Sequence, residues 1–297
     1  MAEEGGRKAI REIGEIATRS GQRFGRMWRV RVEPGMRTLW RHSHTQFEMT
    51  LVTEGSGVYT LSSGPVPMAP GDMFVFASRE VHCITEVGPA GLEIMNFHLE
   101  PRLFMAQSGE LLGHPDFCFA HGPSFPGRIP ASAAGPLREA FLGLETELLE
   151  KKPEYALLAA ARVNALAALL LRDYGYAGQQ DGCTEPQLPG ILRAMAYIED
   201  HLSEPLTLEK IAAEAGISPN YFSTLFRRFC GVTLWEHVQT KRIELAIRLL
   251  RSGEKQNILE IALACGFNNT ANFNKAFRRH TGVTPSYYRS VEDRLLN

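Results

Sequence analysis

Cysteine is scarce and badly placed for cross-linking: Cys83, Cys118, Cys183, Cys230 and Cys265 are odd in number, far apart and form no CxxC pair. That excludes a disulfide framework and a zinc finger, and it fits a reducing cytoplasm. An excess of positive charge is also lacking. With 32 Lys/Arg against 33 Asp/Glu, the chain has nothing of the basic balance of a histone-like protein. Long hydrophobic runs are missing too. The Ala/Leu-rich stretch from Leu157 to Leu171 is interrupted by Arg162 and Asn164 and falls short of the roughly 18 apolar residues of a membrane span. It reads as a buried or dimerising helix. The opening MAEEGGRKAIREIGEIA has no apolar core of signal-peptide length, so neither a targeting segment nor a membrane partner is expected. With no nucleophile triad and no glycine-rich phosphate loop, the expected role is binding, not catalysis.

What is present is 44% hydrophobic and 22% charged residues, over a length suited to two ordinary domains. From Met27 to about Leu103, short apolar segments alternate with turn signals at Glu54-Gly55, Ser63-Gly64 and Pro70-Gly71, the pattern of an antiparallel sandwich or small barrel. Helical spacing follows: Leu137, Phe141, Leu144 and Leu148, then Leu157, Leu158, Val163, Leu166 and Leu170, split by Lys152-Pro153 into an α-hairpin. The Gly, Gln and Pro content of YAGQQDGCTEPQLPG marks residues 176–190 as a linker. Everything beyond Ile191 reads as helix. The expected fold class is α+β and multidomain, with an antiparallel β-barrel over 1–135, a helical dimerisation hairpin over 136–175, the linker over 176–190 and an all-α domain over 191–297. Positive charge gathers toward the end: 14 Lys/Arg stand against 11 Asp/Glu from residue 187 onward, and 18 against 22 before it.

The strongest signal is an internal repeat. LEKIAAEAGISPNYFSTLFRRFCGVT (208–233) aligns with NILEIALACGFNNTANFNKAFRRHTGVT (257–284), pairing Gly216 with Gly266, Phe222 with Phe273, Phe226 with Phe277 and Gly231 with Gly282. Ala212 and Ala262 are small where two helices must cross closely, and four residues later comes a glycine for the sharp turn, which is the layout of a helix-turn-helix. In the first copy Ser218 stands at the N-cap position. Phe222, Leu225, Phe226 and Phe229 form the inner stripe, which leaves Asn220, Ser223, Thr224 and Arg227 outward. In the second, Phe273, Ala276 and Phe277 face inward, leaving Ala271, Asn274, Lys275 and Arg278 outward, with Thr270 near the helix start. Such side chains reach base edges and phosphates in a major groove. Thr233 and Glu236 make a capping box opening a long helix between the copies, which fixes their separation. Two recognition helices enter successive major grooves when they sit about 34 Å apart.

The stretches IAAEAGISPNYFSTLFRRFCG, RIELAIRLL (242–250) and IALACGFNNTANFNKAFRRHTGVTPSYYR closely resemble the AraC/XylS family of transcription regulators, over about residues 191–290. The resemblance implies a seven-helix DNA-binding domain with two helix-turn-helix units. It implies base-facing roles for Pro219, Asn220, Ser223 and Thr224, and for Thr270, Ala271, Asn274 and Lys275. It also implies activation by recruiting RNA polymerase. Ser223 and Ala271 depart from the larger or basic side chains common at these places, so the base preference is not carried over.

In the N-terminal half, WRHSHTQFEMTLVTEG sets His42 and His44 two apart, on one face of an expected strand, with Glu48 four residues on, and GDMFVFASREVH ends in His82. Three imidazoles and a carboxylate are a ligand set for a divalent metal with open positions. The order resembles the two cupin motifs. His44 to Glu48 to Gly55 and Gly71 to His82 keep the family spacing, but Gly35 stands one residue too far from His42. Ala77, Arg79 and Glu86 occupy places where the second motif has Pro, Gly and Asn. The resemblance implies a cupin-like barrel, of the kind that in AraC/XylS regulators commonly binds a sugar or another small metabolite without metal. His42, His44, Glu48 and His82 therefore read in three ways: as metal ligands, as effector contacts or as a polar barrel lining. Trp40 is suited to stack on a sugar ring or to fill the core, and Tyr59, His98 and Arg79 are further pocket candidates. His114, His121, His201, His237 and His280 show no ligand spacing and read as structural or surface residues.

The expected protein is a cytoplasmic, homodimeric regulator that binds double-stranded promoter DNA under the control of a small-molecule effector in its barrel. Its rivals are a metal-dependent cupin enzyme with an appended DNA-binding domain and a regulator without any effector.

Overall fold

The structure, a computed structural model, describes residues 8–17, 21–34, 43–61, 63–112, 117–176, 187–251 and 256–296. It forms two compact units, Met1–Leu39 with Gln46–Gly182, and Cys183–Asn297 with Trp40–Thr45. In the first unit the strands are β1 (Lys8–Ala17), β2 (Arg23–Val32), β3 (Phe47–Leu61), β4 (Gly64–Met68), β5 (Met73–Phe76), β6 (Cys83–Leu99) and β7 (Arg128–Ile129). They build one seven-stranded sheet in the order β1-β2-β6-β3-β5-β7, with β4 paired to β3 and every pairing antiparallel. Its apolar interior gathers Val30, Val52, Tyr59, Phe74, Phe76 and Ile94. The cupin-like antiparallel expectation holds.

One turn read from the sequence is a bend instead. Glu54-Gly55 lies inside β3, where the β3–β6 register slips between Val52 and Glu54 and again between Gly55 and Gly57. Gly55 has φ +77°, and a Cβ there would stand 2.0 Å from the Gly91 carbonyl oxygen. A glycine between apolar residues marks a bulge as readily as a turn, and here the strand continues through it.

Against the sheet lie α1 (Pro101–Leu112), α2 (Gly135–Glu150) and α3 (Tyr155–Asp173). α2 buries Leu137, Phe141, Leu144 and Leu148, and α3 buries Ala159, Val163, Leu166, Ala167 and Leu170. Between them Lys151 (φ 46°) and Glu154 (φ 64°) take left-handed conformations, so both helices end at the turn around Pro153. Leu157 and Leu158, expected on the inner stripe, are exposed because they precede the buried series of α3. By length and composition α3 would also suffice to cross a membrane. Arg29 of β2 ties the hairpin to the sheet, with Nη2 2.7 Å from Glu145 of α2 and Nη1 2.9 Å from Glu93 of β6. At the end of the unit Tyr176 is fully buried among Phe47, Phe117 and Phe125.

The second unit is helical from Leu188 onward: α4 (Leu188–Asp200), α5 (Leu208–Ala215), α6 (Pro219–Cys230), α7 (Leu234–Arg251), α8 (Ile258–Ala264), α9 (Thr270–Thr281) and α10 (Pro285–Leu296). The helices of the repeat are α5–α6 and α8–α9. Each pair turns on a left-handed glycine, Gly216 at φ 73° and Gly266 at φ 79°, and each crosses at a fully buried alanine, Ala212 or Ala262. α7 serves both copies. Its His237 meets Phe226 edge-on at 5.4 Å, and its Ile243, Ala246 and Leu250 complete the second copy's core with Ile261, Phe273 and Phe277. Helix starts are capped by Thr207, by Asn269, and by two capping boxes, Thr233 with Glu236 and Asn257 with Glu260. Each such cap contributes about 1 kcal/mol, which matters for helices as short as α5 and α8.

Candidate functional site

In the barrel the polar cluster centres on Glu48, which is 2% exposed. A carboxylate taken so far from water needs partners, and the sheet supplies them. His98 of β6 lies opposite Glu48 in the ladder, with Nε2 2.9 Å from Glu48 Oε2. His82 brings its own Nε2 to 3.3 Å of the same oxygen. Its ring stacks on Phe76 at 4.0 Å, and its Nδ1 donates to the Glu80 carbonyl at 3.0 Å. Thr50 donates to Glu48 Oε1 at 2.9 Å, and Trp28 meets the His98 ring edge-on at 4.6 Å. Tyr59 lies 6.0 Å from the His82 ring, and burial, then the Glu48 charge, push its hydroxyl well above the usual phenol range.

The sequence-derived metal set is regrouped. Glu48 keeps His82 beside it and gains His98, which takes a place that spacing gave to other residues. Two imidazoles and a carboxylate, with a second-sphere hydroxyl on the acid, fit a divalent cation chemically. Trp40 and His42 lie outside the described residues. His44 is not on a strand: β3 begins at Phe47, and the backbone N–H of Thr45 donates to the Glu244 carboxylate at 2.6 Å instead of joining a ladder. The expected shared strand face for His42 and His44 therefore does not form at His44. Arg79, where the cupin resemblance expects glycine, keeps the glycine-like backbone at φ 70°. Of the two readings open for His121, structural or surface, the half-buried structural one fits, since its Nε2 lies 3.2 Å from Glu80 Oε2, and that hydrogen bond raises its pKa despite partial burial. Forty-one residues separate the pair, which no local pattern discloses.

In the helical unit the outward faces are polar. On α6, Asn220, Thr224 and Arg227 are exposed, whereas Pro219 and Ser223 are half-buried. On α9, Ala271, Asn274, Lys275 and Arg278 are exposed and Thr270 is half-buried. Phe222, Phe226, Phe273 and Phe277 are fully buried opposite them. Four exposed residues were missed, Tyr221 and Arg228 on α6 and Asn272 and Arg279 on α9. The helical period held the signal, because Arg279 follows Lys275 by four residues and so stands on the same side.

Family models match both units: a "Helix-turn-helix domain" covers residues 211–290 and a "Cupin domain" covers residues 28–98. The chain is 27% identical over 251 residues to the HTH-type transcriptional activator RhaR of Enterobacter sp. (strain 638), covering 84% of this chain and 86% of that one. It is 39% identical over 95 residues to the transposon Tn10 TetD protein of Escherichia coli, covering 32% of this chain and 68% of that one. In fold it is similar to ToxT from Vibrio cholerae, with a TM-score of 0.59 at 11% identity over 96% of this chain and 98% of that one. With two helix-turn-helix units around one central helix and a cupin-type sheet ahead of them, the chain belongs to the AraC/XylS family of DNA-binding transcription regulators.

Proposed function

We propose that this protein controls transcription by binding promoter DNA through α6 and α9, and that a small polar effector held at Glu48, His82 and His98 sets that binding. The observation that carries the reading is the pairing, on one chain, of two helices with exposed polar faces and a buried acid flanked by two imidazoles. Buried titratable groups that converge on one another are where a small ligand finds directed polar contacts. A solved ToxT carries an unsaturated fatty acid, which supports effector control of this architecture. The cluster here favours a polyol, a small acid or a divalent cation over a long apolar chain. Its role in this reading is binding, with no catalytic step. The name of RhaR, a transcriptional activator, supports activation, with RNA polymerase as the further partner in a cytoplasmic setting. The hairpin of α2 and α3 is the dimer interface in this reading, supported by the exposed Leu142, Leu149, Leu157 and Leu158.

The test is selection of duplexes by the full-length protein from a random pool, followed by anisotropy titration with and without sugars, small acids and divalent metals. A preferred duplex whose affinity shifts with one of these is expected. No preference over random duplex at moderate salt would overturn the DNA-binding part, and a preference that none of the compounds moves would overturn the effector part. For the dimer, Leu157→Glu should sediment as a monomer, and a stable dimer would remove the hairpin from the interface.

A further inference from the structure

Between α9, α7 and the residues 203–206 that lead into α5 runs a concavity of about 780 Å³. Asn272, Lys275 and Arg279 of α9 line one side, at the three- and four-residue spacing that makes a single stripe on a helix. Apart from Ser203 and Glu204, Gln239 and Arg242 of α7 and Asn268 line the rest of its polar surface. These six side chains all offer N–H donors, three of them cationic, and Glu204 is the only carboxylate in the lining. Arg242 is fixed in the wall, donating from Nε to the Leu202 carbonyl and from Nη2 to the Glu204 carbonyl, each at 2.9 Å. Trp235 and Leu263, 49% and 52% exposed, add apolar surface.

A phosphodiester is anionic and carries only acceptors, and its deoxyribose presents apolar faces, so it matches this lining in charge, in hydrogen bonding and in its apolar part. Lys275 belongs both to the concavity and to the outward face of α9, which places the two surfaces side by side. We propose that the concavity seats the sugar-phosphate backbone beside the groove that α9 enters, with Arg279, Asn272 and Gln239 as phosphate contacts. α7 is then a DNA-contacting helix as well as the spacer between the two units. This inference rests on the DNA-binding reading and assigns the part of that binding that is independent of base sequence.

The test is anisotropy with the full-length protein on a preferred duplex and on a shuffled duplex of equal length, across a range of salt. Arg279→Gln should lower the salt slope by about one and weaken both duplexes by the same factor, leaving the preference unchanged. Arg279→Lys, which keeps the charge, should restore the slope. Gln239→Ala should weaken both duplexes about fivefold, the worth of one hydrogen bond, with the slope intact. Both positions tested carry exposed side chains, so melting temperatures should match the wild type, and Gln239→Ala keeps the test open if an Arg279 variant fails to fold. Wild-type slope and affinity in Arg279→Gln and Gln239→Ala would overturn the inference while the DNA-binding reading stands. A changed preference ratio in Arg279→Gln would also overturn it, by making that residue a base reader. A wild type that prefers no duplex would overturn both.

Discussion

His98 lies opposite Glu48 in the β3–β6 ladder and reaches its carboxylate at 2.9 Å. The relationship links two residues fifty positions apart, and the sheet register, not the motif spacing, creates it. With His82 on the same oxygen, the acid is held between two imidazoles in a setting that water barely reaches.

Glu48→Gln and His98→Ala should therefore remove ligand response while sparing DNA binding. A ligand at a hundred times its Kd stabilises the native state by about 2.7 kcal/mol, a shift that thermal melting resolves easily. The wild type should show such a shift with a sugar, a small acid or a divalent metal, and both variants should show none. Persistence of the full shift in both would place the ligand away from Glu48.

On α9, Lys275→Ala should weaken binding to the preferred duplex by about 1–3 kcal/mol, the worth of one well-placed base contact, and leave the melting temperature unchanged. Phe277→Ala, two positions on and fully buried, should instead cost about 3–5 kcal/mol of stability. Urea denaturation and anisotropy on the same two proteins separate the effects. Equal loss of stability in Lys275→Ala would place that residue in the core.

Much of this was legible because local chemistry decides it. The paired Ala and Gly of each helix-turn-helix, the aromatic stripes and the Thr233–Glu236 capping box follow from helical periodicity and turn geometry within a few residues. The barrel was harder to read. Glu48 and His82 follow from cupin spacing, but the partnership of Glu48 with His98 depends on which strands are neighbours, and that of Glu80 with His121 on how β7 and the preceding loop return to the sheet. The bend at Gly55 looked like a turn because a strand that curves over its own core needs the same residue that a hairpin does. Arg279 and Asn272 escape a reading that places the outward face directly opposite Phe273, Ala276 and Phe277, whereas the exposed arc of α9 is wider and takes in both.

The Glu80–His121 pair gives stability a pH dependence of defined sign. The hydrogen bond to Glu80 raises the folded-state pKa of His121 above its ordinary 6.5. The pair's contribution is then fully present below the unfolded value and is lost as pH rises through the raised one. The difference in melting temperature between wild type and His121→Gln should thus be larger near about pH 5.5 than near about pH 8.5, since only the protonated imidazole gains from the carboxylate. The half-exposed position keeps the effect to a few degrees. A difference that grows toward high pH would contradict the assignment.

The two turn glycines of the repeat look equivalent in sequence, yet they should not respond alike to substitution. Gly216 has φ +73° with nothing within 4 Å of a would-be Cβ, so Gly216→Ala meets only the left-handed backbone cost of about 1–2 kcal/mol. Gly266 has φ +79°, but a Cβ there would stand 2.3 Å from the Leu202 carbonyl oxygen and 2.8 Å from the Arg242 guanidinium, two groups that hydrogen-bond to each other. Gly266→Ala must displace that pair, and with it one wall of the concavity beside α9. It should cost at least twice as much stability as Gly216→Ala in urea denaturation. At temperatures where both variants stay folded, it should also weaken binding to preferred and shuffled duplexes alike. Equal stability costs would mean that the contact between Arg242 and the Leu202 carbonyl yields without penalty, and that the wall it forms is not held in place by Gly266.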